Sequence, residues 1–262
     1  MPQIITVSNQ KGGVGKTTTA VNLAAALGAL GHFTLLVDMD PQANATSAIG
    51  VDPNNLEAST YEALVTDDPP KAHVLQEFKN IALLPASIDL AGAEIELLEQ
   101  EEREFALKRS LARLDDIYDY IVIDCPPSLS VLTINSLVAA DWVLVPVQAE
   151  YLALEGLSRM MLMIQRIQKR YQADLKLLGI VTTMFDGRTN LAQQVLEELR
   201  RAFPEKLLKT MINRSVRLSE APSFGKPIVY YDPRSTGSEQ YLELTREIIH
   251  VCDEETRARA RA

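Results

Sequence analysis

Along the chain, short runs of consecutive apolar residues alternate with longer stretches whose apolar positions recur every three or four residues. The first pattern marks strands covered on both faces and the second marks helices, so the alternation predicts βαβ units and a parallel sheet. Strands are expected at Ile4–Ser8, Thr34–Asp38, Ile81–Pro85, Tyr120–Asp124, Trp142–Pro146 and Leu177–Thr182, with a further short one near Leu207–Met211. Leu35-Leu36-Val37, Ile121-Val122-Ile123 and Val143-Leu144-Val145 carry the signal. Side chains alternate across a strand, so three apolar residues in succession need a layer on each side. Helices are expected at Lys16–Leu30, Leu90–Leu114, Val131–Ala139, Ala153–Tyr171, Asn190–Phe203 and Gly237–Asp253, the second of them kinked or broken in two. The stretch Asp52–Lys79 is less regular and reads as short peripheral helices, and Arg257–Ala262 reads as a frayed end.

Composition removes several alternatives. The chain has 262 residues, 47% hydrophobic and 23% charged, which describes an ordinary globular protein. No Pro/Ser/Gly-rich linker interrupts it, so residues 1–253 are expected to form one domain and 254–262 a tail. Cys125, Cys252, His32, His73 and His250 are scattered, which argues against a disulfide framework, a structural metal site or an iron–sulfur cluster. No apolar run reaches membrane-spanning length and no basic-then-apolar leader opens the chain, so a cytoplasmic protein is expected. The net charge of −9 weighs against broad nucleic-acid binding. That charge is uneven, however. Glu94–Glu104 is mostly acidic, whereas Arg188–Lys226 carries eight basic side chains against four acidic ones, leaving room for a local basic face.

The strongest chemical signal is Lys11-Gly12-Gly13-Val14-Gly15-Lys16-Thr17-Thr18, between the first strand and the first helix. Glycines let the backbone curl so that successive N–H groups point inward at a phosphate, and the helix N-terminus adds favourable partial charge. Lys16 is placed to reach the β- and γ-phosphates and the Thr17 hydroxyl to ligate Mg²⁺, which makes this a P-loop for ATP. Two acidic segments fit the same site. Leu36-Val37-Asp38-Met39-Asp40 and Ile121-Val122-Ile123-Asp124 each end a strand at the sheet edge where open α/β sheets bind ligands. The second resembles a Walker B segment, whose Asp124 would hold Mg²⁺ through water. A lone Asp at a strand end is ordinarily a turn former; two such segments beside a P-loop shift the balance to function.

The loop departs from the common Gly-x-x-x-x-Gly-Lys-Thr pattern by having Gln10 at the first position and Lys11 inside. Lys-Gly-Gly-x-x-Gly-Lys-Thr is the deviant Walker A motif. With Asn9-Gln10 leading into that loop, and with Asp38-Met39-Asp40-Pro41-Gln42-Ala43-Asn44-Ala45-Thr46, Asp124-Cys125-Pro126-Pro127-Ser128, Glu150-Tyr151-Leu152-Ala153-Leu154-Glu155-Gly156 and Val216-Arg217-Leu218-Ser219-Glu220-Ala221-Pro222-Ser223, the chain resembles the ParA/Soj partition ATPases over almost its whole length. MinD-type relatives carry an amphipathic membrane helix at the C-terminus, whereas Asp253–Ala262 lacks an apolar face, so no membrane partner is expected.

The resemblance implies a single-domain P-loop NTPase of α/β class and a slow Mg-ATPase that acts as a switch. It implies an ATP-sandwich homodimer in which Lys11 reaches the partner's nucleotide, Asp40 positions the attacking water and Asp38 supports the metal shell. The nucleotide would be held by Gly12, Gly13, Val14, Gly15, Lys16, Thr17 and Thr18. Met184, Phe185 and the Ile212–Arg214 loop would flank the base; Soj-like relatives usually have Pro where this chain has Asn213. The metal set is then Thr17, Asp38 and Asp124. The ATP-bound dimer would bind DNA non-specifically through Arg188, Arg214 and Arg217 and associate with the nucleoid, and a ParB-like partner would accelerate hydrolysis. Two alternatives stay open: an ATPase that uses the nucleoid to position another cargo, and a metabolic ATP-dependent ligase on the same scaffold.

Overall fold

In the computed structural model, which describes residues 2–114 and 117–261, the apolar runs form one eight-stranded sheet. The strands are β1 (Gln3–Val7), β2 (Thr34–Asp38), β3 (His73–Val74), β4 (Ile81–Leu84), β5 (Tyr120–Asp124), β6 (Trp142–Gln148), β7 (Lys176–Phe185) and β8 (Leu207–Asn213). Their spatial order is β3-β4-β2-β5-β1-β6-β7-β8. Every pair is parallel except β3 with β4, where His73 and Val74 cover one edge antiparallel. Register matters more for function than strand count. Asp124 lies level with Val7 on one side and with Asp38 on the other. The end of β1, from which the glycine-rich loop leaves, and both acidic strand ends therefore share one line on the C-terminal edge.

Both faces of the sheet are covered, as the unbroken apolar runs require. Leu36, Val122 and Leu144 pack on one face with Leu23 and Leu27 of α1 (Lys16–Ala29) and Tyr241, Leu244 and Ile248 of the last helix. Their strand neighbours Leu35, Val37, Ile121 and Ile123 face the other way, against Leu107 and Leu132. Val143, Val145 and Ile180 continue that second layer against Leu157, Met160 and Leu199. The helix α1 lies so close to the sheet edge that a Cβ on Gly28 would stand 2.3 Å from the Lys79 carbonyl oxygen, and only glycine fits there.

The stretch Leu90–Leu114 is broken, one of the two forms that the sequence pattern allowed. It divides into Leu90–Glu96 and Ala106–Leu111, with single 3₁₀ turns at Leu97–Glu99 and Arg103–Phe105. Gln100 is extended and Glu102 is left-handed (φ 52°), which no continuous helix permits. Asp52–Lys79 contains one helix, Thr60–Val65, closed by a Ser59/Glu62 capping box, and the short β3. The last helix, Thr236–Arg261, continues past Asp253, where the sequence pattern ended it. Its final segment is rich in Ala and Arg, both strong helix formers. Among the described residues no helix is long and apolar enough to cross a membrane.

Candidate nucleotide-binding site

The glycine-rich loop bridges β1 and α1. Gly13 and Gly15 hold positive φ values of 73° and 81°, a region that costs side-chain-bearing residues energy. Gly15 is the N-cap of α1, and no side chain caps that helix. The 14-residue helix thus offers first-turn N–H groups to an anion from outside. The loop is pinned from two sides. Asn9 donates to the Pro146 carbonyl (2.8 Å) and accepts from the Lys11 N–H (3.0 Å), and the Thr183 hydroxyl donates to the Val14 carbonyl (2.8 Å). No role for Asn9 or Thr183 could be read from the sequence, because each acts on a loop that is its neighbour only once β1, β6 and β7 are side by side.

Lys16 curls back over the loop, its Nζ donating to the Lys11 carbonyl at 3.1 Å. Burial lowers its pKa, opposed chiefly by the charge of Asp124. Asp38 and Asp124 are both out of solvent but differently provided for. One Asp38 oxygen accepts from the Thr46 N–H and hydroxyl, both at 2.8 Å, and the other from the Asp40 N–H at 3.1 Å. Burial nevertheless pushes its pKa up to about 6. With both oxygens engaged, Asp38 organises the segment Met39–Thr46, and the Thr46 hydroxyl in turn accepts from the Ala86 N–H. Neither oxygen of Asp124 makes a hydrogen bond of ordinary geometry among the described residues. Burial first, and then the charge of Asp38, raise the Asp124 pKa well above the carboxylate range, with the Thr17 hydroxyl the first of the groups that pull it back. Two orphaned carboxylate oxygens beside a threonine hydroxyl and a phosphate loop are what a hydrated divalent cation would satisfy, so the donor set fits Mg²⁺. Among the described residues no three His, Cys, Asp or Glu side chains cluster to hold a metal by themselves.

Asp40 has 7% of its surface exposed and faces a cavity of about 440 Å³ shared with Gly12, Gly13, Lys16, Thr17, Asn44 and Met184. Its Oδ1 accepts from the Gln42 N–H at 3.0 Å. A second cavity of about 320 Å³ adjoins it, lined by Thr18, Thr183, Met184, Asn213, Arg214 and Tyr241 among others. Met184, left-handed at φ 47°, takes part in both and reaches within 3.6 Å of where a Gly15 Cβ would stand. Phe185 lines neither cavity. It packs into the core with Ala192 and Val195, because the next residue along a strand points to the opposite face. Asn213 stands at the rim, its N–H bound to Gln240 at 3.0 Å.

Arg188 and Arg214 lie in exposed loops beyond β7 and β8, and Arg217 on the short helix Val216–Glu220 that follows. Arg188 is paired in a two-pronged geometry with Asp186 (2.8 and 2.6 Å), and these bonds hold the Asp186 pKa down at about 2. Arg217 lies 3.1 Å from Glu220 and 3.4 Å from Asp232. Arg214 makes no ion pair among the described residues; its N–H donates to the Phe185 carbonyl (3.1 Å), which joins the two loops. Lys11 is engaged within its own chain, by Glu150 at 3.2 Å.

Comparison with known proteins agrees with this geometry. The family described as "AAA domain" matches residues 2–177. The sporulation initiation inhibitor protein Soj of Bacillus subtilis is 53% identical over 252 residues, covering 95% of this chain and 98% of that protein. The chromosome partitioning protein ParA of Myxococcus xanthus is 52% identical over 248 residues, covering 94% and 88%. A solved structure named cobyrinic acid a,c-diamide synthase from Mycobacterium smegmatis, with bound ADP and magnesium, is 41% identical and superposes with a TM-score of 0.81 over 94% of this chain and 93% of that one. With half of all positions shared over nearly the full length, and a phosphate loop and acidic strand ends assembled on one sheet edge, the chain belongs to the ParA/Soj family of chromosome-partitioning ATPases.

Proposed function

We propose that this chain is a Mg-ATP-driven switch that pairs face to face on binding ATP, holds DNA without regard to sequence, and lets go when hydrolysis is triggered by a ParB-like partner on the nucleoid. The observation that carries the reading is the buried Asp124 carboxylate, neither oxygen of which has a well-formed hydrogen bond among the described residues, beside the Thr17 hydroxyl and the phosphate loop. The loop amides of Gly12–Thr18 and the Lys16 ammonium hold the polyphosphate, Met184 and Asn213 border the base, and Thr17 and Asp124, with Asp38 behind them, would hold Mg²⁺. That ion would draw charge from the terminal phosphates as the bond breaks. Asp40 would accept a hydrogen bond from the attacking water at Oδ2, the oxygen that its contact with Gln42 leaves free, and so orient the water. Lys11 from the second subunit adds a cation where negative charge develops.

Arg188, Arg214 and Arg217 would contact DNA phosphates, which need only cations in place. An acidic chain achieves this by doubling a small patch on dimerisation. The structure with a metabolic name keeps a second reading in view, an ATP-dependent ligase, but the partition proteins share more of the sequence. The deciding experiment measures ATPase activity and sedimentation with Mg-ATP, then with DNA, with a ParB-like peptide and with both. Dimerisation on ATP and joint stimulation by DNA and peptide are expected. Stimulation by a small metabolite alone would replace this reading with the ligase. Asp40→Ala should keep ATP binding and dimerisation while slowing turnover at least about a hundredfold.

A further inference from the structure

Lys11 is the side chain that the proposed function sends across to a second subunit, yet in the lone chain its ammonium is taken. Its Nζ lies 3.2 Å from Glu150 Oε2, and the other Glu150 oxygen accepts from the Gln148 amide at 2.6 Å. The pairing is set up by the fold. Glu150 follows β6, and Asn9 ties the root of the phosphate loop to that same strand through the Pro146 carbonyl while capping the Lys11 N–H. One residue links the two backbones, so Lys11 and Glu150 are held within reach of each other before any ligand arrives.

The turn that presents Glu150 is not relaxed. Leu152, two residues on and at the start of the helix Ala153–Arg170, holds a left-handed φ of 72°, which a leucine adopts only at a cost. Tyr151 and Leu152 are 77% and 55% exposed. Apolar side chains turned to water in a strained turn are not what local packing selects.

We infer that Glu150 is a positioning residue that parks Lys11 on its own subunit and thereby sets how readily two ATP-bound subunits join. It rests on the reading that Lys11 acts across the dimer. The pair is built for release. Its two side chains are 37% and 48% exposed, and a half-exposed ion pair biases an equilibrium by no more than about fivefold. A buried pair would lock the lysine, whereas this one yields to the far larger negative charge of a partner's triphosphate.

The test is sedimentation velocity with a non-hydrolysable ATP analogue and Mg²⁺, comparing wild type, Glu150→Gln, Glu150→Asp and Lys11→Ala. Glu150→Gln should associate more tightly at low salt, by up to about fivefold for each of the two lysines released, and Glu150→Asp, which keeps the charge, should return towards wild type. The gain should shrink as salt rises and the screening length falls from about 10 Å at 0.1 M to about 3 Å at 1 M, which a purely structural effect would not do. Glu150→Gln associating no more tightly than wild type, with Lys11→Ala impaired, overturns the role of Glu150 alone. A wild type that does not associate with the analogue, or Lys11→Ala that associates equally well, overturns the underlying reading of Lys11 and this inference with it.

Discussion

Lys16, Asp38 and Asp124 lie almost wholly out of solvent, whereas Arg188 and Arg217 stand in water, each beside a carboxylate of its own. Both groups lie at or just beyond the C-terminal ends of strands, yet they are built in opposite ways. In the buried set, desolvation is the largest influence on every charge, and the groups offset one another only partly: among the described residues neither Asp124 oxygen has a well-formed hydrogen bond. The arginines have solvent to screen them and neighbours to pair with, so their charges cost little to keep. Buried, incompletely compensated charge makes a site that gains much from one particular ligand. Exposed, paired charge makes a surface that gains a little from any polyanion. The first suits a nucleotide with its metal and the second suits DNA read only as phosphate.

Substitutions can break that contrast at either end. The largest effect is expected for Lys16→Ala, which removes a charged donor from the phosphate loop; Mg-ATP affinity measured by calorimetry should fall about a hundredfold, as the loss of ~3 kcal/mol implies. A fall of only two- to threefold would mean that Lys16 does not grip the phosphates.

Asp124→Asn should harm function and help the empty protein. An unfolded Asp releases its proton near pH 4, whereas burial makes native Asp124 and Asp38 keep theirs to higher pH. Between those values the native state binds more protons, so raising the pH through that window lowers its stability. Removing the Asp124 charge should therefore raise nucleotide-free stability at neutral pH by about 1–3 kcal/mol and flatten the decline between pH 4 and neutrality, read as the difference between variant and wild type by thermal melting. Mg²⁺-dependent hydrolysis should be lost in the same variant. Unchanged melting at neutral pH would show that the Asp124 carboxylate is not strained by burial.

At the exposed end, Arg217→Ala should weaken DNA binding about tenfold at low salt and reduce the log–log salt slope by about 0.9 for each phosphate that is no longer neutralised, with no change in ATP affinity. Asp186→Asn should give the smallest effect, a gain of about twofold in DNA affinity as Arg188 is freed, visible by fluorescence anisotropy and absent at high salt. Loss of DNA binding on Asp186→Asn would instead make that pair a scaffold for the loop.

The parts of the site that could be read from the chain are those carried by consecutive residues. Lys11–Thr18, Asp38, Asp40 and Asp124 are fixed by local pattern, because a strand, a turn and a helix start are each specified within a few residues. The same holds for the strands buried on both faces, whose apolar runs no solvated element would carry. The roles of Asn9, Thr183 and Thr46 were not legible, since their work lies in hydrogen bonds to carbonyls and carboxylates brought near by strand order. A break within Leu90–Leu114 was expected, but its place at Gln100–Glu102 was not legible, since it follows from how the two halves pack against Thr60–Val65 and Val131–Ala139.

For this protein, sequence alone settled which chemistry is present: a parallel α/β sheet, a phosphate loop with two lysines, acidic strand ends and a basic stretch near the C-terminus. Tertiary structure decided what each charge feels. Whether a carboxylate is satisfied like Asp38, orphaned like Asp124, or spent on an arginine like Asp186 depends on burial and on partners far along the chain. Electrostatic energy follows distance and solvent exposure, and neither is written in the order of residues.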